Sequence, residues 1–383
     1  MSSNSGKRLR DQIDDANLSD EEDEVLFGRE PNGAPFFSGL RTFKYDNPSE
    51  CQICLEDYDE FSTPAWARLG VFFGNNINLV SLDLTWCWFS AEDLRVLMDG
   101  LKRSNSLRKL CLAQNGSIGG AEGMATVASY VDGNNQLERL VLTDTGLKEE
   151  GLSELVPALN RSSVQHLYLG NIVHFIRDGN SSLGQLNPPQ LSLLLLDKSN
   201  LAREGCLEVA KVLKNRKQTL KKLYLESCEI DDEGIMMLME AIDGNDVLHT
   251  LILDDNTDIT SVGWDRIVDE VFDATSIESL FLSNHTLVDV GWRDYYPLSV
   301  LDANSGDGTI TEKGRHKVFG RHFWGELEYA HYNLGLIIDL DVRLMPMVLE
   351  WIGRECGYYK LFYTLRNWNL PSLFEYVRTN LKN

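Results

Sequence analysis

One short phrase recurs eight times along the middle of the chain, and it restricts the fold more than any other feature. NLVSLDL at 78–84 sets Leu79, Leu82 and Leu84 in the spacing L-x-x-L-x-L. The phrase restarts at Leu107, Leu137, Val164, Leu191, Leu220, Leu248 and Ile277, at intervals of 28, 30, 27, 27, 29, 28 and 29 residues. A unit of that length cannot bury its apolar face alone, so successive units must stack and share one continuous core. The 383 residues therefore do not translate into a count of domains, because an array of this kind grows by addition.

Each unit reads as strand, turn and helix. The third position after the last strand leucine is Cys87, Asn115, Thr145, Ile172, Ser199, Cys228, Asn256 and His285. A small polar side chain there can point inward and satisfy the backbone of the turn. A glycine-bearing helix start follows in KEEGLSELVPAL, AREGCLEVAKVL, DDEGIMMLMEAI and TSVGWDRIVDEV, with apolar residues at three-and-four spacing. The fourth unit departs from this, with HFIRDGNSSLGQLNPP in the helix position; Pro188 and Pro189 predict an irregular loop. Repeats of this length, with a full helix and a Cys/Asn/Thr ladder, resemble the ribonuclease-inhibitor type of leucine-rich repeat. The resemblance covers about 79–300, plus a degenerate helix TEKGRHKVFGRHF at 311–323. It implies an α/β solenoid, with a parallel sheet on the concave side, helices outside and helical caps. Ribonuclease inhibitor itself is far richer in cysteine, so its ligand does not carry over.

The flanks give the remaining divisions. Residues 1–45 hold Lys7 to Arg10 (KRLR), then Ser19 and an acidic run from Asp20 to Glu24, and are expected to be a disordered acidic tail. KRLR has the form of a nuclear localisation patch, and Ser19 that of an acidophilic-kinase site. Residues 46–78 are expected to form the N-terminal cap, with Ser62 capping a helix that carries Trp66, Leu69, Phe72 and Phe73. The repeats then occupy 79–323 and a helical C-terminal cap 324–383. That last block resembles the terminal block of uncharacterised leucine-rich repeat proteins of diatom-like algae, in L-M-P-x-x-L-x-W-I-G followed by L-x-R-N. The resemblance implies fold only.

Composition narrows the function classes. A net charge of −22 argues against a nucleic-acid or anionic-membrane binder, since both need a basic face. No run approaches the roughly 20 apolar residues of a membrane span, and MSSNSGKRLRDQIDD has no signal-peptide core. Seven scattered cysteines then suggest reduced thiols in the cytoplasm or nucleus. Cys51-x-x-Cys54 looks like the opening of a zinc module, but a site needs four ligands and the next cysteine, Cys87, lies on a repeat. A half-buried strand is the preferred reading. No H-E-x-x-H, G-x-S-x-G or G-x-x-x-x-G-K-[ST] occurs. GSIGGAEG at 116–123 lacks the lysine of a phosphate loop, and its glycines fall in the turn that every unit possesses. The expectation is a protein that is not an enzyme, with no cofactor, metal or small-molecule substrate.

Function would then sit on the concave face, where alternate strand residues point away from the core. The residue between the second and third leucines is Asp83, Cys111, Val141, Tyr168, Leu195, Tyr224, Ile252 and Phe281, which makes an apolar spine from Val141 onward. The column before it holds Ser81, Lys109, Arg139, His166, Leu193, Lys222, Thr250 and Ser279. The column after it holds Thr85, Ala113, Thr143, Gly170, Asp197, Glu226, Asp254 and Ser283. Arg139 and Lys222 thus lie on one side of the spine, with Glu226 and Asp254 on the other. Eight strands spaced ~4.8 Å span about 34 Å, enough for a helix of about 20 residues. Apolar residues flanked by charge have the composition of an interface, although lateral packing between strands would also place them there. The leading reading is a scaffold that binds a protein or peptide. One alternative is a GTPase-activating or enzyme-inhibiting horseshoe that uses Lys109, Asn115 and Arg139. Another is a ubiquitin-ligase adaptor suggested by Cys51 and Cys54.

Overall fold

The structure is a computed structural model that describes residues 51–55, 61–172, 181–214, 219–273, 275–291, 301, 304–305, 308–314 and 317. The chain divides into two compact units, Met1–Asp273 with Leu282–Lys313 and Ala274–Phe281 with Gly314–Asn383. The first holds one eight-stranded sheet whose strands follow chain order, β1 to β8, all parallel. The strands are β1 (Cys51–Cys54), β2 (Leu79–Asp83), β3 (Lys109–Cys111), β4 (Arg139–Val141), β5 (His166–Tyr168), β6 (Leu193–Leu195), β7 (Lys222–Tyr224) and β8 (Thr250–Ile252). The α/β leucine-rich repeat solenoid is therefore present, and Cys51–Cys54 is a strand at its N-terminal edge.

Helices link the strands: α1 (Thr63–Gly74), α2 (Ala91–Leu101), α3 (Ala121–Val131), α4 (Glu149–Leu159), α5 (Ala202–Leu213), α6 (Asp232–Ile242) and α7 (Ser261–Val271). Their starts are written locally. Ser90 and Asp93 form a capping box on α2, and Asp231 accepts the Gly234 N–H at the start of α6. Ser62 is the N-cap of α1, and Pro64 lies in its first turn. Helix α1 meets α2 backbone to backbone, since a Cβ on Gly70 would lie 2.3 Å from the Leu97 carbonyl oxygen. Between β5 and β6 the described residues hold only a 3-10 turn, Ser182–Gln185, as the prolines predict. The phrase leucines form the core: Leu82, Leu110, Leu140, Leu167, Leu194, Leu223 and Leu251 are all at 1 % exposure or less. Each contributes about 1.5–3 kcal/mol of burial.

The inward ladder performs its expected task. Asn115 Nδ2 donates to the carbonyls of Leu84 and Leu112 at 2.9 Å, and Asn256 Nδ2 to those of Leu225 and Leu253 at 2.8 and 2.9 Å. Thr145 Oγ1 donates to the Leu142 carbonyl at 2.8 Å, and the Cys87 thiol to that of Leu55 at 3.0 Å. Burial pushes the Cys228 thiol up to about 12, so it stays protonated and donates to the Leu196 carbonyl.

The eighth phrase is where expectation and structure part. Ile277–Leu282 is a short helix, α8, and Leu282 is 70 % exposed. Ser276 Oγ accepts the Ser279 N–H, the bond of a helix N-cap, and Glu278 lies in the first turn. The edge of β8 is instead met 39 residues after Leu248, beginning at Leu287. Asp289 bridges Thr250 in parallel, and the Leu251 N–H donates to the Asp289 carbonyl at 2.8 Å. Leu287-Val288-Asp289-Val290 carries the phrase in the weaker form L-x-x-V, with Leu287 and Val290 buried. Of the C-terminal assignments, residues 310–314 are helical. Residue 317 is described too; the rest of 311–323, the diatom-type block and the cap at 324–383 lie outside the described residues, as does the acidic tail at 1–45.

Candidate functional site

Parallel pairing aligns the three sequence columns strand by strand on the sheet face that points away from the core. Asp83, Cys111, Val141, Tyr168, Leu195, Tyr224 and Ile252 are successive Cα partners across β2 to β8. All seven side chains are half-buried, whereas the leucines beside them are fully buried. Val141, Tyr168, Leu195, Tyr224 and Ile252 thus form a continuous apolar ridge across five strands. Phe281 lies in a helix and not in a strand of the sheet. Its place in α8 removes it from the ladder, and Ser279 leaves the first column for the same reason. Asp289 takes the column position beside Thr250, which places Gly291 after it in the spine column. Gly291 has φ +95, and a Cβ there would lie 2.3 Å from Asp254 Oδ1. The ridge therefore ends at Ile252.

The first column runs Ser81, Lys109, Arg139, His166, Leu193, Lys222 and Thr250 in the same register. The Arg139 guanidinium lies over the Tyr168 ring, 5.8 Å from its centroid, and its Nη2 is 3.4 Å from His166 Nδ1. Burial is the first cause that holds His166 below the usual histidine range, and the charges of Arg139, Lys222 and Lys109 add to it against Glu138. A neutral His166 with Nδ1 unprotonated accepts from Arg139. On the other side, the Glu226 N–H donates to Asp197 Oδ1 at 2.8 Å. Burial, then the neighbouring Glu226 and Asp254 carboxylates, push Asp197 above the usual carboxylate range, against that hydrogen bond. Glu226 and Asp254 are half-buried beside it.

Two further placements bear on the alternatives. Asn115 is fully buried and committed to turn carbonyls, so it is a ladder residue and not a surface group of a GTPase-activating edge. Among the described residues no group of three His, Cys, Asp or Glu side chains is arranged to hold a metal, and no helix is long and apolar enough to cross a membrane.

One surface feature escaped the column reading. The residue two past the last strand leucine is left-handed in each of seven repeats, at Trp86, Gln114, Asp144, Asn171, Lys198, Ser227 and Asp255. Polar residues fill that position everywhere except in the first repeat, where Trp86 is 44 % exposed and Trp88, with φ +50, is 62 % exposed. Aligning the repeats two positions beyond the leucines shows this substitution.

The ladder, the inward asparagines and the single parallel sheet define the fold class, a leucine-rich repeat solenoid whose repeats are similar to those of the ribonuclease-inhibitor type. A leucine-rich repeat family profile matches residues 75–98 and 216–239. Over 172 residues, 43% of this chain, it is 28% identical to ribonuclease inhibitor from Sus scrofa, covering 36% of that protein. It is 30% identical over 172 residues to the human NACHT, LRR and PYD domains-containing protein 3, covering 16% of it. The chain thus spans about a third or less of these relatives' lengths. A chain of the yeast Rad7 and Elc1 complex aligns over 76% of this chain and 71% of its own length, with 19% identity and a TM-score of 0.46.

Proposed function

We propose that this protein is a non-catalytic interaction scaffold that binds a protein or peptide on the concave face of its repeat sheet. The observation that carries the reading is the half-buried ridge from Val141 to Ile252, apolar on every strand and bordered by charge. Tyr168 and Tyr224 are the anchors, since a tyrosine combines large apolar area with a polar tip at little entropic cost. Arg139 and Lys222 on one side, and Glu226 and Asp254 on the other, set orientation more than affinity. The binding residues are Val141, Tyr168, Leu195, Tyr224, Ile252, Arg139, Lys222, Glu226 and Asp254. The same reading holds that the chain acts in the cytoplasm or nucleus, without cofactor, nucleic acid, membrane or small-molecule substrate. It also keeps 46–78 and 324–383 as the caps of the repeats. An enzyme-inhibiting variant of this scaffold is favoured by the similarity to ribonuclease inhibitor; it differs only in that the bound partner is an enzyme.

The test is affinity capture from the source cells with the wild-type chain and with Tyr168→Ala plus Tyr224→Ala. Loss of specific partners in the double variant, with thermal unfolding unchanged, is the expected result. Capture of every partner by both forms would overturn the concave-face reading.

A further inference from the structure

The first column of the sheet face that points away from the core holds three cations, Lys109, Arg139 and Lys222. Lys109 and Arg139 are direct cross-strand partners, His166 follows on β5, and Lys222 lies on β7. Elsewhere Arg95, Arg108, Arg161, Arg203 and Arg266 each meet a carboxylate. Among the described residues, Lys109, Arg139 and Lys222 take part in no ion pair. Like charges opposite each other in a ladder are destabilising, and a chain with net charge −22 has carboxylates to spare. Arg139 is also held in position by the Tyr168 ring and His166, and its Nε is buried without a hydrogen-bond partner. The third column is neutral and small on β3 to β5, with Ala113, Thr143 and Gly170, and acidic from β6 on, with Asp197, Glu226 and Asp254.

We infer that the partner presents an acidic segment with an adjoining aromatic or large aliphatic side chain, its carboxylates on Lys109, Arg139 and Lys222 and its apolar side chain on Val141 and Tyr168. This inference rests on the concave-face reading and names the chemistry of its occupant.

The probe is a fluorescein-labelled synthetic peptide of four glutamates next to Leu-Phe, titrated with the full chain by fluorescence anisotropy, beside the same peptide with lysines for glutamates. The glutamate peptide is expected to bind, to weaken with added salt, and to bind about tenfold or more weakly to Lys109→Glu plus Lys222→Glu. The milder Lys222→Gln, at an exposed side chain, is expected to give a smaller loss in the same direction and guards against misfolding of the double variant. Equal binding of the two peptides, or equal affinity of wild type and both variants for the glutamate peptide, would overturn the inference. Partner capture that is still lost with Tyr168→Ala plus Tyr224→Ala would then leave the scaffold standing without its acidic partner. Capture indifferent to the tyrosines would remove the scaffold itself.

Discussion

Two six-residue phrases, LHTLIL at 248–253 and IESLFL at 277–282, share one pattern and end in different structures. The first supplies β8, with Leu251 and Leu253 buried. The second is the helix α8, with its last leucine in solvent. The difference lies in what precedes each. Asn245 Oδ1 accepts the Val247 and Leu248 N–H groups at 2.9 Å and turns the chain into the strand. Asn134 does the same before Leu137, and Asn284 before Leu287, where the chain meets the β8 edge. Before Ile277 the corresponding residue is Ala274, and Ser276 instead caps a helix. Leucine spacing specifies which face can be buried, and at Leu137, Leu248 and Leu287 a preceding asparagine turns the chain toward the sheet, which Ser276 does not do before Ile277.

This contrast can be broken by mutation. The largest effect is expected for Leu253→Ala, about 3 kcal/mol lost by chemical denaturation, because a buried leucine leaves a cavity. Next is Asn284→Ala, at about 2 kcal/mol. It removes the acceptor for the Thr286 and Leu287 N–H groups and the donor to the Asn245 carbonyl. Faster hydrogen exchange at the Leu251 amide, whose acceptor is the Asp289 carbonyl, would accompany that loss. The smallest effect is expected for Leu282→Ala, within about 0.5 kcal/mol of wild type, as for other exposed positions. A loss at Leu282 equal to that at Leu253 would show that the eighth phrase is a strand after all.

Most of the fold was legible in the sequence, because the repeat is local. The period, the ladder at Asn115, Thr145, Cys228 and Asn256, the irregular fourth unit and the helix at Thr63–Gly74 all follow from residues near one another. Seven of the eight spine positions were legible for the same reason. Phe281 was misplaced because its spacing matched the template while its capping did not. Legible too, but only by comparing repeats at the left-handed position, were the exposed Trp86 and Trp88. Arg139 is a different case. Its column was evident, but its contacts with Tyr168 and His166 depend on side-chain packing between strands that no one-dimensional pattern records.

The comparison of the two phrases also separates the members of the proposed site, since Tyr224 lies in the ladder and Phe281 does not. The most direct measurement is the affinity of one captured partner for wild type, Tyr224→Ala and Phe281→Ala under identical conditions. Tyr224→Ala is expected to weaken binding by about tenfold or more, with Phe281→Ala close to wild type. The reverse order would contradict both the placement of the site on the β2 to β8 ladder and the end of its ridge at Ile252.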